Sequence, residues 1–322
     1  MKLTRAAGFT AAFATVGCTA VPPDPAAGAL RVRAPHLEHP VTETYPSASR
    51  PEDPVKLAVW ERVNIDRAAA GRLPVAWDEA ASRVADTFCA EQIHEGTSGH
   101  YLTDGMPPYA RTALAGIFGM QAENVVSWKS SGPRFDASTL SLALSGHAGM
   151  MSELPPSDGH RRTILDPDAT HVGVGYAQEH GNFRMAQEFL TRRLAELALL
   201  RVAEDPDRVL ANGRARAPYR VEFVTLAHEA SPRHLTRAEA TARDTYTYPI
   251  PALAYVPEGV KSLRVVGAET QDRLRVGPAG DFSFRFTPGR PGLWTIVLYM
   301  ASGRGKPSPG GMFVLWIEKA AS

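Results

Sequence analysis

The sequence predicts an α+β fold in which helices pack on an antiparallel sheet, followed by a C-terminal β-sandwich-like unit. Three observations predict it. Apolar residues recur at helical spacing between residues 55 and 151. The period then switches to two in Val172, Val174 and Tyr176, and again in Phe183, Met185, Gln187 and Phe189, with "EHGN" between the runs, the pattern of a hairpin. From about Tyr219 onward, alternating or wholly apolar runs are separated by stretches such as "GPAGD", "TPGRPG" and "GRGKPSPGG", which read as turns.

The elements follow in order. "MKLTR" is a basic segment and "AAGFTAAFATVG" a short apolar one ending in small residues, so residues 1–18 read as an export signal. It is shorter than the roughly 20 apolar residues of a membrane-spanning helix. Cys18 follows directly in "TVGCT", which resembles a bacterial lipoprotein signal whose cysteine becomes the acylated N-terminus, although Thr15 stands where leucine is usual. The expectation is an extracytoplasmic protein anchored to the envelope membrane by lipid on Cys18, with plain secretion as the alternative. Residues 19–54 carry eight prolines and little apolar periodicity, and read as an extended tether.

Val55, Val59 and Val63, with Trp60 beside them, mark one face of a first helix, which Gly71 ends. Asp78 is placed to cap a second, with Ala81, Val84, Ala85 and Phe88 as its stripe and Gly96 at its close. "PPYARTALAGIF" opens with proline and suits a third. A fourth runs from about Asp136 to Met151, with Leu140, Leu144, His147 and Met151 on one side. "RRLAELALLRVAE" at 192–204 reads as a further helix, after which the chain reads as strands: Tyr219, Val221 and Phe223 alternate, Phe282, Phe284 and Phe286 alternate, and "LWTIVLYM" and "MFVLWI" are apolar on both faces. The domains expected are 55–192 and a β-rich unit at 193–322.

Composition bounds the function. A chain of 322 residues suggests two domains, and 44% hydrophobic against 21% charged residues describes a packed protein. The net charge of +1, without a basic run or a recognition motif, disfavours a nucleic-acid partner. If Cys18 carries lipid, Cys89 has no disulfide partner, and its place in "RVADTFCAEQI" reads as a small buried apolar side chain.

Four side chains could carry chemistry: His100 in "SGHYLTDG", Glu123 in "AENVVSW", Glu153 in "MMSELPPSDG" and His160 in "DGHRRTIL". Each lies at or near an element end. Neutral imidazole and carboxylate both ligate zinc and similar divalent ions, and the same set can do acid–base work. Spacing alone does not join them. "HEGTSGH" at 94–100 has Ser98 where a zincin has its second histidine, and no G-x-S-x-G elbow occurs. Each also has a structural reading: Glu123 as a cap, Glu153 as a solvated loop acid, His147 as a core residue, and His94, His171 and His180 as surface residues.

From Val63 to Phe189 the chain resembles the CAP superfamily (cysteine-rich secretory, antigen 5 and pathogenesis-related 1) in its bacterial SCP-like form. The pieces come in family order: "VNIDRAAAGRLPVAWDEAASRVA", "GHYLTDG" with the following "YAR", "AENV", "GHRRTILDPDATHVGVGYA" and "NFRMAQEF". The resemblance implies an α-β-α sandwich with a cleft where two histidines and two acids meet. Carried over by position, these are His100, His160 and Glu123, with Glu153 as the second acid or Ser157 in its place, because "MMSELPPSDGH" is longer than the family's segment and lacks its tryptophan.

Three functions compete. The first is a binding module whose cleft takes a divalent cation such as zinc on His100 and His160, a small apolar ligand or a peptide, with a cell-envelope or protein partner. The second is a metal-assisted hydrolase of peptide or cell-envelope polymer in which Glu123 activates water. The third is a purely structural hydrogen-bonded network.

Overall fold

The computed structural model describes residues 30–33, 41–42, 49–202, 205–260 and 262–319. Cys18 and the segment expected to be an export signal lie outside the described residues, as does most of the stretch expected to be a tether. Inside that stretch, β1 (Leu30–Arg33) and β2 (Val41–Thr42) pair with opposite edges of the large C-terminal sheet.

The first unit is built as its punctuation dictates. The Asp53 carboxylate accepts from the N–H groups of Val55 and Lys56, and Pro54 opens α1 (Pro54–Ala69), which buries Val55, Val59 and Val63. After β3 (Ala76–Trp77), Asp78 accepts from the Ala81 N–H to cap α2 (Glu79–Glu95), and Gly96 ends that helix at φ 67°. Then come α3 (Pro108–Leu114), β4 (Met120–Lys129), α4 (Thr139–Met151) and α5 (Gly159–Ile164). The hairpin of β5 (His171–Glu179) and β6 (Asn182–Thr191) turns through His180 and Gly181, both at positive φ.

These strands form one sheet in the order β3-β5-β6-β4. The valines of α1, Ala143 and Met150 of α4 and Ile164 of α5 pack with Val172, Val174, Phe183, Met185 and Phe189 on one face. The other face takes α2 through Ala81, Ala85 and Phe88. The result is an α-β-α sandwich. "VGVG" in β5 serves both faces, because Val172 and Val174 fill one core while Gly173 and Gly175 let α2 lie directly on the strand. A Cβ on Gly173 would stand 2.3 Å from the Ser82 nitrogen, and one on Gly175 2.2 Å from that of Asp86.

Two local expectations fail. The buried face of α4 is Ala143, Gly146, His147 and Met150, while Leu140 is 40% exposed. The small residues set the closest approach, since a Cβ on Gly146 would meet Val126 at 2.8 Å. Residues 194–202 are a strand rather than a helix. Leu197 and Leu199 alternate into the β-rich core, and strand pairing outweighs the helical preference of "LAELALL".

The C-terminal unit holds β7 (Leu194–Val202), β8 (Asp205–Ala215), β9 (Tyr219–Glu229), α6 (Arg237–Ala242), β10 (Leu253–Pro257), β11 (Glu269–Val276), β12 (Asp281–Phe286), β13 (Gly292–Ser302) and β14 (Ser308–Lys319). With β1 and β2 its strands make one sheet in the order β1-β14-β13-β9-β10-β11-β12-β8-β7-β2. Its two halves face each other like a sandwich across a common core, with Phe282, Phe284 and Phe286 on one side and Ile296, Leu298 and Phe313 on the other. Among the described residues no helix is long and apolar enough to cross a membrane.

Candidate functional site

The site is organised by β4, the edge strand of the smaller sheet. Successive residues of a strand point to opposite faces. Glu123 and Asn124, neighbours in "AENV", therefore serve two different layers.

On the α2 face, Glu123 is enclosed. Its Oε1 accepts from His100 Nδ1–H at 2.8 Å, and its Oε2 accepts from the Arg111 guanidinium. Arg111 lies over the Phe88 ring, 3.7 Å from the centroid. Glu188, directly across on β6, is also fully buried and accepts from the Gln121 amide. On the opposite face the Asn124 amide donates to the His160 carbonyl at 3.1 Å. Behind it Gln187 donates to His147 Nδ1 (3.0 Å), and His147 Nε2–H donates to Asp66 (2.9 Å), so His147 is a satisfied core residue as expected. Glu153 accepts from the His160 backbone N–H at 3.0 Å and from its ring Nδ1. Thus one residue of the Glu-Asn pair holds the ring of the first histidine and the other holds the backbone of the second.

His100, Glu123, Glu153 and His160 all line a single cleft of about 990 Å³. Ser157 lines it too, but the carboxylate beside His160 is that of Glu153.

The two pairs differ in setting. The His100 side chain is 8% exposed and that of Glu123 is 0%, against 34% for His160 and 24% for Glu153. Burial, then the Arg111 charge, pushes His100 down to about 4, so its ring is neutral at neutral pH. Burial alone would lower Arg111, but the Glu123 carboxylate beside it outweighs that and holds the guanidinium charged. Burial and the neighbouring Glu123 push Glu188 well above the usual carboxylate range, so it keeps its proton. The sequence reading passed over Glu188; its one signal is an acid inside the otherwise inward-facing "MAQEF".

Several expectations change here. Glu123 has both oxygens occupied and no exposure, which is a poor setting for a base that must meet water. His171, expected at the surface, is half-buried and pushed down to about 4 by burial and then by Arg192. Cys89 is fully buried and free, with burial raising its thiol well above the ordinary range, as suits an inert core residue. Among the described residues no group of three His, Cys, Asp or Glu side chains is placed to hold a metal ion. The donor chemistry fits a divalent ion in part: each Nδ1 is tied to a carboxylate, the outer-shell arrangement of metal-binding imidazoles, which leaves Nε2 for the ion. Any further ligands would be water.

The C-terminal unit also reaches this site. The Glu123 N–H donates to the Tyr246 hydroxyl at 2.6 Å, and the Tyr248 hydroxyl donates to the Gln121 carbonyl. These tyrosines satisfy the free backbone edge of β4. The Tyr246 ring meets His100 edge-on, with centroids 5.0 Å apart, and Asp244, Thr245, Tyr246 and Tyr248 line the cleft. Sequence reasoning had confined the cleft to residues before 190. The alternation of Tyr246 and Tyr248 in "DTYTYP" is the only local hint of a shared face.

Residues 60–191 match the family model described as CAP, the cysteine-rich secretory protein family. Similar solved structures include an extracellular protein containing an SCP domain from Bacillus anthracis, at 19% identity over 44% of this chain and 45% of that one, with a TM-score of 0.34. An outer surface protein of Borrelia burgdorferi matches at 13% identity over 45% of this chain and 98% of that one, with a TM-score of 0.33. A cysteine-rich secretory protein of Staphylococcus aureus matches at 16% identity over 44% of this chain and 41% of that one, with a TM-score of 0.29. The chain spans under half the length of the Bacillus and Staphylococcus proteins. No curated protein matches it.

Proposed function

We propose, from the match of residues 60–191 to the CAP family model, that this chain works as an extracytoplasmic binding module whose His/Glu cleft captures a ligand at the cell envelope. The observation that carries this reading is the locked geometry of the cleft. Both imidazoles are fixed through Nδ1, Glu123 is immobilised by Arg111, and the C-terminal unit supplies one wall. Such a site is preorganised for recognition, which lowers the ordering cost of binding. The export segment and Cys18 support an envelope location with a lipid anchor.

Binding is tested by adding soluble cell-envelope fragments to the full chain and following the backbone NMR signals. Shifts are expected at His160, Asn124 and Tyr246, and they should vanish in Glu153→Ala/His160→Ala. Equal binding by that folded variant defeats the proposal.

A second reading, a divalent ion on the two Nε2 atoms, is favoured by the Nδ1–carboxylate pairing. Calorimetric zinc titration should show one site that is lost in His100→Ala/His160→Ala. Undiminished zinc binding by the double variant rejects it. For hydrolysis, Glu153 and His160 are the pair that faces the cleft, and release of products from peptidoglycan or a peptide library is the measurement that would reverse the preference for binding.

A further inference from the structure

A sheet edge is where a chain can recruit a further strand, because its outward N–H and C=O groups have no partner in their own sheet. Among the described residues the two sheets end in β1, β2, β3 and β4. The first three run for 4, 2 and 2 residues, and β4 runs for 10. A short edge offers little to a partner, whereas a long one needs cover.

Part of β4 has that cover. The Tyr248 hydroxyl takes the N–H and C=O of Gln121, and the Tyr246 hydroxyl takes the N–H of Glu123. These groups point away from β6, so alternation along the strand turns those of Val125 and Ser127 the same way. The Ser130 N–H, in the other phase, returns to the Gly181 carbonyl of the hairpin. The tyrosine cap stops at Glu123. Among the described residues the outward backbone groups of Val125 and Ser127 have no hydrogen-bond partner.

The devices that blunt an edge are missing from this stretch. Pairing with β6 runs from Met120 to Lys129 without a bulge. Residues 124–128, "NVVSW", contain no proline and no charge, and Lys129 comes only at the end. Val125, Val126 and Ser127 are half-buried and Trp128 is 39% exposed, so solvent reaches the strand. Val126 and Trp128 share a face, which offers an apolar side chain and a ring to alternate residues of a strand laid beside them.

A single extended segment fits this slot. Antiparallel pairing with a second copy about Val126 would set each copy's Tyr246, which occupies the edge at Glu123, against the other's Lys129. A glycan or a lipid has no backbone whose donors and acceptors repeat at strand spacing, and a peptide has one. We propose that the open edge of β4, residues 125–129, docks an extended peptide segment of a partner protein, which joins the smaller sheet beside β4. This surface adjoins the cleft and stands independently of the cleft's own ligand.

The probe is an acetylated heptapeptide of alternating threonine and valine, titrated into the full chain and followed by NMR with hydrogen exchange. Its binding should shift the Val125 and Ser127 amide signals and slow their exchange. The same peptide N-methylated at every residue lacks the donors and should bind at least about tenfold more weakly. Ser127→Pro removes an outward N–H and leaves the bonds to β6 in place, which an edge strand tolerates; it should weaken the peptide by a similar factor at unchanged Tm. Should that variant unfold, the N-methylated comparison on the wild type decides alone. Equal binding of the two peptides, or shifts confined to Glu153 and His160 in the cleft, overturns the proposal. So does an absence of binding. Sedimentation showing a dimer that Ser127→Pro abolishes overturns it too, since the occupant is then a second copy.

Discussion

Two histidine–glutamate pairs sit in one cleft and differ mainly in how much water they meet. His100 and Glu123 are sealed under Arg111, Phe88 and Tyr246, while Glu153 and His160 face the opening. The contrast teaches that a residue pair does not carry a role by itself. Burial turns the first pair into a fixed part of the wall, a neutral imidazole on a carboxylate held by Arg111, whose partners must all be present. Exposure leaves the second able to exchange hydrogen bonds with a ligand.

The strongest way to break this comparison is to strip the sealed pair of its cation. Arg111→Met leaves Glu123 buried without its counter-charge and should cost about 3–5 kcal/mol in urea denaturation. A loss under about 1 kcal/mol would show that water reaches Glu123 and that the two pairs are alike.

Acid gives the next largest effect. His100 is held down to about 4 from 6.5, so as pH falls the unfolded chain takes up a proton that the folded ring refuses. Stability tied to this ring is complete above pH 6.5 and lost progressively towards pH 4. Wild type should lose about 3 kcal/mol relative to His100→Gln across that window, the product of the pKa gap and about 1.4 kcal/mol per unit. A pH-independent difference between the two proteins would contradict the sealing of the ring.

A smaller change is expected where the second unit touches the first. Tyr246→Phe removes the acceptor of the Glu123 N–H and should cost about 1–3 kcal/mol by the same denaturation assay. No loss would mean that the tyrosine merely lies against the edge strand. The smallest belongs to the open pair. Glu153→Gln should change stability by less than about 1 kcal/mol, as for other partly exposed ion pairs, while weakening ligand capture. Destabilisation as large as that of Arg111→Met would place both pairs in the core.

Much of the first unit was legible because local chemistry writes it. Asp78 and Gly96 punctuate α2 by capping bonds within a few residues, and the hairpin turns where "EHGN" stands. Strand β4 and helix α5 were not recognised, since "MQAENVVSWK" carries no clean alternation and "GHRRTI" is a single short turn of helix. The "LAELALL" segment misled because its composition favours a helix, whereas its pairing with β8 is a long-range property. Glu188 and the two tyrosines escaped for the same reason. Their significance lies in partners such as Glu123 and Gln121, which are distant in the chain.

By itself the sequence determined the ends of α2, the hairpin and the four polar side chains worth watching, because capping, turn geometry and periodicity act over a few residues. Only the tertiary structure decided which histidine is sealed, which acid keeps its proton and which unit supplies the cleft wall. Those outcomes depend on desolvation and on charges brought together across the fold, and neither quantity exists until the chain has closed around them.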